Sequence, residues 1–274
     1  MNNLFGVIQG RLLPKYKGRY QAHPKDDWED EFEIARKLGL DCIEFILDYN
    51  DASQNPLLDS NGLKRLQRVI DKTGINVKTI CADYFMEAPL HSENELVCKR
   101  SAIILRKLLE TAKILNVSDI VIPCVDQSSL DNSKTIKRFV HQVNKIIPDL
   151  EEKNINLALE TDMPPVSFVE LLDQFSTKKV TVNYDIGNSA SLGFDPIEEL
   201  DAYGDRITDI HIKDRDLNGG PVILGTGNAN FELFFNKLKE FDYKGVFIMQ
   251  PYRDDEGMGV FKQQYEWIQK HYIR

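Results

Sequence analysis

The segment Ile155-Asn156-Leu157-Ala158-Leu159-Glu160 carries the plan of the whole chain. In a strand, Ile155, Leu157 and Leu159 share one face and Asn156, Ala158 and Glu160 share the other. The first face reads as packed on helices. The second reads as turned inward, with a carboxylate at its end. Val180-Thr181-Val182-Asn183-Tyr184-Asp185 repeats the pattern, with Thr181, Asn183 and Asp185 inward. Ile207-Thr208-Asp209-Ile210-His211-Ile212 does so again, with Asp209 and His211 inward. From Glu160 to Asp185 is 25 positions and from Asp185 to His211 is 26, each the length of one short strand–helix unit.

Five more apolar runs complete the series, at 4–9, 41–47, 75–81, 119–123 and 246–250. The last is apolar on both faces, so its phase stays open, and it ends on Gln250. Segments of helical period lie between the runs. Residues Glu29 to Leu38 put Phe32, Ala35 and Leu38 on one face before Gly39. Ser92 to Glu95 reads as a capping box for a helix reaching Leu115. Asp195-Pro196 starts a helix that stops at Gly204, and Asn230 caps one carrying Phe231, Phe234, Phe235 and Leu238. Alternating strands and helices require crossover connections and therefore a parallel sheet covered by helices. Eight of each predict closure into a single (β/α)₈ barrel, one domain over 1–274. A doubly wound open sheet is the alternative. Its nucleotide-binding form is weakened because no G-x-G-x-x-G or phosphate-loop pattern follows the first strand.

Composition narrows the function. The formal net charge of −9 leaves no general electrostatic footprint for nucleic acid. No apolar run has the length of a membrane span. Met1-Asn2-Asn3 lacks the basic start and apolar stretch of a leader. Cys42, Cys81, Cys98 and Cys124 are widely spaced and read as reduced core residues of a cytoplasmic protein. Nothing here fixes the oligomeric state, and a homo-oligomer stays open.

In a barrel of this kind the chemistry sits at the C-terminal strand ends. Consecutive strands bring Glu160, Asp185 and His211 side by side. Two carboxylates and an imidazole suit Mn²⁺, Zn²⁺, Co²⁺ or, less well, Mg²⁺, and Gln250 could add an amide oxygen. Each residue alone is more often structural. Asp185 before Ile186-Gly187-Asn188 suits an Asx turn, and a lone histidine is usually a hydrogen-bonded core residue. Three inward polar residues on three consecutive strands point instead to a site.

The stretches Leu159-Glu160-Thr161-Asp162, Tyr184-Asp185-Ile186-Gly187-Asn188 and His211-Ile212-Lys213-Asp214 resemble the metal-ligand segments of the xylose isomerase-like barrels, in particular their sugar-phosphate isomerase/epimerase group. Val7-Ile8-Gln9-Gly10-Arg11-Leu12 and Leu224-Gly225-Thr226-Gly227-Asn228 resemble that group's first strand end and a later glycine-rich loop. The resemblance implies one divalent metal, often Mn²⁺, held by Glu160, Asp185, His211 and the end of strand eight. It also implies a sugar or sugar-phosphate substrate, and proton abstraction beside a ketose carbonyl through a metal-stabilised enediolate. Two departures stand out: Gln250 where the family commonly has a second glutamate, and Asn188 where it often has a histidine.

An amide cannot take a proton at neutral pH, and it brings no charge to a metal. Three outcomes follow: a one-base isomerase using Glu160; an epimerase recruiting Glu44, Asp83 or Asp126 as a second base; or a carbohydrate-binding barrel with degraded chemistry. Gln9, Arg11, Glu44, Asn188, Lys213 and Arg215 are candidate substrate contacts. The arginines and lysine would suit a phosphate or carboxylate, and the Gly225-Thr226-Gly227 backbone would suit an anion. A keto-inositol dehydratase is a further activity the resemblance allows. A zinc endonuclease acting on DNA would need more histidines at strand ends than His211 alone.

Overall fold

A computed structural model describes residues 3–272. Met1 and Asn2, which begin the stretch without leader character, lie outside the described residues. Eight strands form one closed parallel barrel in chain order. They are β1 (Phe5–Ile8), β2 (Cys42–Ile46), β3 (Asn76–Cys81), β4 (Asp119–Cys124), β5 (Asn156–Thr161), β6 (Val180–Asp185), β7 (Ile207–Ile212) and β8 (Val246–Met249). Helices connect them and cover the outside, so the family of open-sheet folds is excluded. Among the described residues no helix is long and apolar enough to cross a membrane.

Alternation sorts the core into two parts. Leu157, Leu159, Val182, Ile210 and Ile212 face outward into the layer shared with helical residues such as Phe32, Leu105, Phe139 and Phe234. A smaller cluster of Ile8, Cys42, Ile46, Cys81, Val246 and Ile248 fills the barrel itself. That cluster settles the phase of β8: Val246 and Ile248 point inward, whereas Phe247 and Met249 join the outer layer. The four cysteines are buried and unpaired.

Helix starts mostly follow local chemistry. Asp195 caps Pro196–Tyr203 by accepting from Ile197 N, and Asn230 caps Phe231–Leu238 by accepting from Leu233 N. Gly39 ends Trp28–Leu38 in the left-handed conformation, at φ 75°. The capping box expected at Ser92 is corrected. Asn94 is the cap of Glu95–Leu115, accepting from Leu96 and Val97 N, while the Ser92 hydroxyl accepts from Asn94 N one step upstream. Asparagine has the reach to take both orphan donors, so it captures the helix start.

The segment 9–27 between β1 and the first α-helix is long, and it is pinned at its base. The buried Glu31 carboxylate accepts from Gly10 N at 2.9 Å and Leu12 N at 3.1 Å. Arg253 donates to Gly10 O and Leu13 O. A loop held this way carries side chains over the barrel mouth with little freedom.

Candidate metal centre and cavity

Strand register assembles the cluster. Asp185 and His211 are direct partners across β6 and β7. Asn183 Nδ2, one pleat below Asp185, donates to Glu160 Oε2 at 3.1 Å and ties β5 to β6. As a result Glu160, Asp185 and His211 offer ligand atoms that all lie within 4.8 Å of one another. His211 Nδ1 is 3.9 Å from both Glu160 Oε2 and Asp185 Oδ2. Its other nitrogen, Nε2, lies 3.0 Å from Glu44 Oε1. The carboxylate lies behind the imidazole at ion-pair distance, on the side away from Glu160 and Asp185, and leaves Nδ1 as the ligand-facing nitrogen.

Asp185 serves two purposes, one per oxygen. Oδ1 accepts from Asn188 N at 2.8 Å and caps the helix Ile186–Leu192, which is the Asx-type role. Oδ2 faces His211 and accepts from Lys213 Nζ at 3.1 Å. Gln250 is buried. Its amide nitrogen donates to Gln21 Oε1 at 2.9 Å, while its carbonyl oxygen has no hydrogen-bond partner. A buried oxygen without a partner calls for one. Two carboxylates, an imidazole nitrogen and that amide oxygen form a donor set suited to a hard or borderline divalent cation.

The electrostatics fit the same reading. Burial, and then the neighbouring Asp185, raise the Glu160 carboxyl to about 7. Burial alone would lower His211, but Glu44, followed by Asp209 and Glu160, outweighs it and raises the imidazole to about 10. Buried acids crowded together hold protons that a cation would replace.

A cavity of about 390 Å³ opens above the cluster. Glu160, Asn188, Lys213, Arg215 and Gln250 line it, as do Asp83 and Asp126. Asn188 bridges two of these, donating to Glu160 Oε1 and accepting from Arg215 Nη1 at 2.8 Å.

Three expected substrate contacts lie off the cavity wall. Gln9 is fully buried, its oxygen taken by Ile46 N and facing His23 Nδ1, both at 3.0 Å. Arg11 is buried too, donating to Pro251 O, Tyr20 O and Gln21 Oε1. Glu44 sits mid-strand, paired across β2 with Ile8 and Thr79, and so lies beneath His211. That depth corrects its reading as a substrate contact or spare base. The anion nest expected at Gly225-Thr226-Gly227 is corrected as well, because Asp214 Oδ2 already accepts from Gly225 N and Gly227 N. A side chain at Gly227 would meet Asp214 Oδ1 at 2.4 Å, which is why glycine stands there.

Sequence reading missed Arg19, Gln21 and Asp48, which also line the cavity. The first two ride on the 9–27 loop, whose length was the available signal, since long ordered loops in compact barrels tend to be functional.

A family profile described as xylose isomerase-like TIM barrel matches residues 32–271. A putative L-ribulose-5-phosphate 3-epimerase of Haemophilus influenzae is 26% identical over 93% of this chain and 96% of its own length. An L-ribulose-5-phosphate 3-epimerase of Escherichia coli is 26% identical over 83% of each chain. Among solved structures, an L-ribulose 3-epimerase superposes with a TM-score of 0.77 at 15% identity, covering 97% of this chain and 93% of that one. A D-tagatose 3-epimerase-like protein gives 0.75 at 21% identity, with 98% and 97% covered. From strand order, site placement and this match, the chain belongs to the xylose isomerase-like TIM-barrel family.

Proposed function

We propose that this protein is a divalent-metal-dependent sugar epimerase that inverts the carbon next to a ketose carbonyl. The observation that carries the proposal is Glu160: a cavity-lining carboxylate, held near neutral pKa, beside the Asp185–His211 pair. The relatives' 3-epimerase activity favours inversion at carbon 3 over the one-base isomerase.

Glu160, Asp185, His211 and Gln250 would hold the metal, with Mn²⁺ the best match to mixed oxygen and imidazole donors. Bound there, a metal would polarise the carbonyl and the adjacent hydroxyl and acidify the C–H between them. The chain's residues do the rest. Glu160 takes the proton as a general base. Asn188 steadies the Glu160 carboxylate and Arg215 at once. Lys213 holds Asp185 in its ligand-facing orientation.

The lining favours an uncharged sugar over a phosphate ester. Six carboxylates (Asp48, Asp83, Glu87, Asp126, Glu160 and Asp162) face three cations. Of these cations, Arg19 is paired with Asp48 and Lys213 with Asp185, while Arg215 donates to Gly219 O and Asn188 Oδ1. A phosphate would meet one cation without a carboxylate partner, Arg215, against six carboxylates.

The test is proton NMR in D₂O with Mn²⁺ and paired 3-epimers: fructose and psicose, tagatose and sorbose, ribulose and xylulose, and the pentulose 5-phosphates. Inversion of a free ketose with deuterium at carbon 3 is expected. Loss of water instead would identify a dehydratase acting on a keto-sugar or keto-inositol. Binding without exchange across the panel would identify a binding barrel and refute the proposal.

A further inference from the structure

Inversion needs a proton delivered to the face opposite Glu160, and Gln250 cannot supply it. We infer that Asp83 is the second acid–base residue, taking over the role that the amide at Gln250 leaves vacant. This rests on the epimerase reading above.

Three observations place it. Asp83 follows β3, two strands before β5 in the closed order, and the loop after β1, which stands across from β5, reaches over to it through Gln21. Gln21, on that loop, joins Gln250 to Asp83: Gln250 Nε2 donates to Gln21 Oε1 at 2.9 Å, and Gln21 Nε2 donates to Asp83 Oδ2 at 2.8 Å. One amide therefore separates the carboxyl of Asp83 from the residue that closes β8. Arg11 Nη2 also donates to Gln21 Oε1, at 3.1 Å, and fixes which way that amide points.

Asp83 also stands apart chemically from the other acids of the wall. Asp48 is paired with Arg19, Asp162 accepts from Ser129 Oγ, and Glu87 and Asp126 are exposed. Asp83 is half-buried, lines the cavity and has only neutral donors: Gln21, and the Cys81 thiol on Oδ1 at 3.2 Å. Burial pushes its carboxyl up, with Asp48 and Glu44 adding to the effect. A cavity-lining carboxyl whose affinity for a proton is raised, and which no cation neutralises, is suited to give and take a proton.

The step balances. Carboxylate Glu160 removes the carbon-3 proton, and the C–H electron pair moves into the enediolate. The carboxylic acid Asp83 delivers its proton to the other face of carbon 3. The C2=C3 electron pair forms the new C–H bond with that proton, and the pair held on the carbonyl oxygen returns to reform C=O. Glu160 ends protonated and Asp83 ionised, and exchange with cavity water resets both. In the reverse direction the roles swap.

The test compares wild type, Asp83→Asn and Asp83→Glu, each with Mn²⁺ in D₂O, on whichever ketose pair the wild type turns over. In Asp83→Asn we expect inversion to fall by about 10²-fold or more. Deuterium exchange at carbon 3 of the epimer that Glu160 serves should stay within several-fold of wild type. Asp83→Glu, which restores a carboxyl on a longer arm, should recover part of the inversion. Wild-type inversion rates in Asp83→Asn would overturn the assignment, and so would equal loss of exchange and inversion with no rescue by Asp83→Glu. No exchange in the wild type would overturn the epimerase reading itself.

Discussion

Asp214 gives the sharpest quantitative expectation. It is fully buried and accepts four backbone N–H groups. Arg215 and Ala229 donate to Oδ1 at 2.9 and 3.0 Å, and Gly225 and Gly227 donate to Oδ2 at 2.9 Å each. These bonds fold the segment after β7 back on itself and seat Arg215 at the cavity. Asp214→Asn preserves shape but turns one oxygen into an N–H₂ group facing two N–H donors. Two hydrogen bonds to a charged acceptor, at about 1.5–3 kcal/mol each, are lost, and the expected destabilisation is about 3–6 kcal/mol. For a chain of this size that lowers Tm by about 5–10 °C. Urea denaturation followed by circular dichroism reads the loss directly. Asp216→Asn is the control: Asp216 is exposed, and its substitution should stay within about 0.5 kcal/mol. A loss below about 1 kcal/mol for Asp214→Asn would refute the view that this carboxylate organises the loop, since that is less than one such bond contributes.

Two further predictions follow from the same geometry. Gln250→Glu keeps the metal-facing oxygen and adds a charge, and it forfeits the donation to Gln21 Oε1. Coulomb attraction at short range outweighs the added desolvation, so Mn²⁺ affinity should rise at least about tenfold by calorimetry, and an unchanged or weaker Kd would count against the proposed ligand set. His23 is held down to about 4, chiefly by burial, against Asp48. Between about 4 and its ordinary value of 6.5 the unfolded chain therefore binds more protons than the folded one. The contribution is fully present above pH 6.5 and is lost as pH falls toward 4. The stability difference between wild type and His23→Gln should shrink over that window, and a difference flat with pH would dismiss the effect.

Much of the frame was legible along the chain because a strand's period of two and a helix's stop signals are local. The eight apolar runs became the eight strands. The inward set Asn183, Glu160, Asp185 and His211 followed from alternation alone, since a one-residue slip would turn every apolar neighbour toward the barrel axis. The β8 phase was not legible, because both its faces are apolar, and only contact with Ile8 and Ile46 in the barrel decided it.

Tertiary structure decided everything that depended on depth or on distant partners. Sequence put Glu44 on an inward face but could not say how far down, and its place beneath His211 turns a candidate base into a support for the ring. Gln9 and Arg11 looked like mouth residues by position, yet both are buried off the cavity wall, Gln9 Oε1 accepting from Ile46 N and Arg11 Nε donating to Pro251 O. Gln21 and Asp83 lie 62 positions apart, and Gln21 and Gln250 lie 229 apart. No periodicity connects such residues. Only closure of the barrel brings β8 and β1 together and carries the first loop across the mouth. Sequence thus determined the barrel and the three strands of the metal cluster, because those rest on local alternation. The cavity wall opposite Glu160 exists only once the ring of strands is closed.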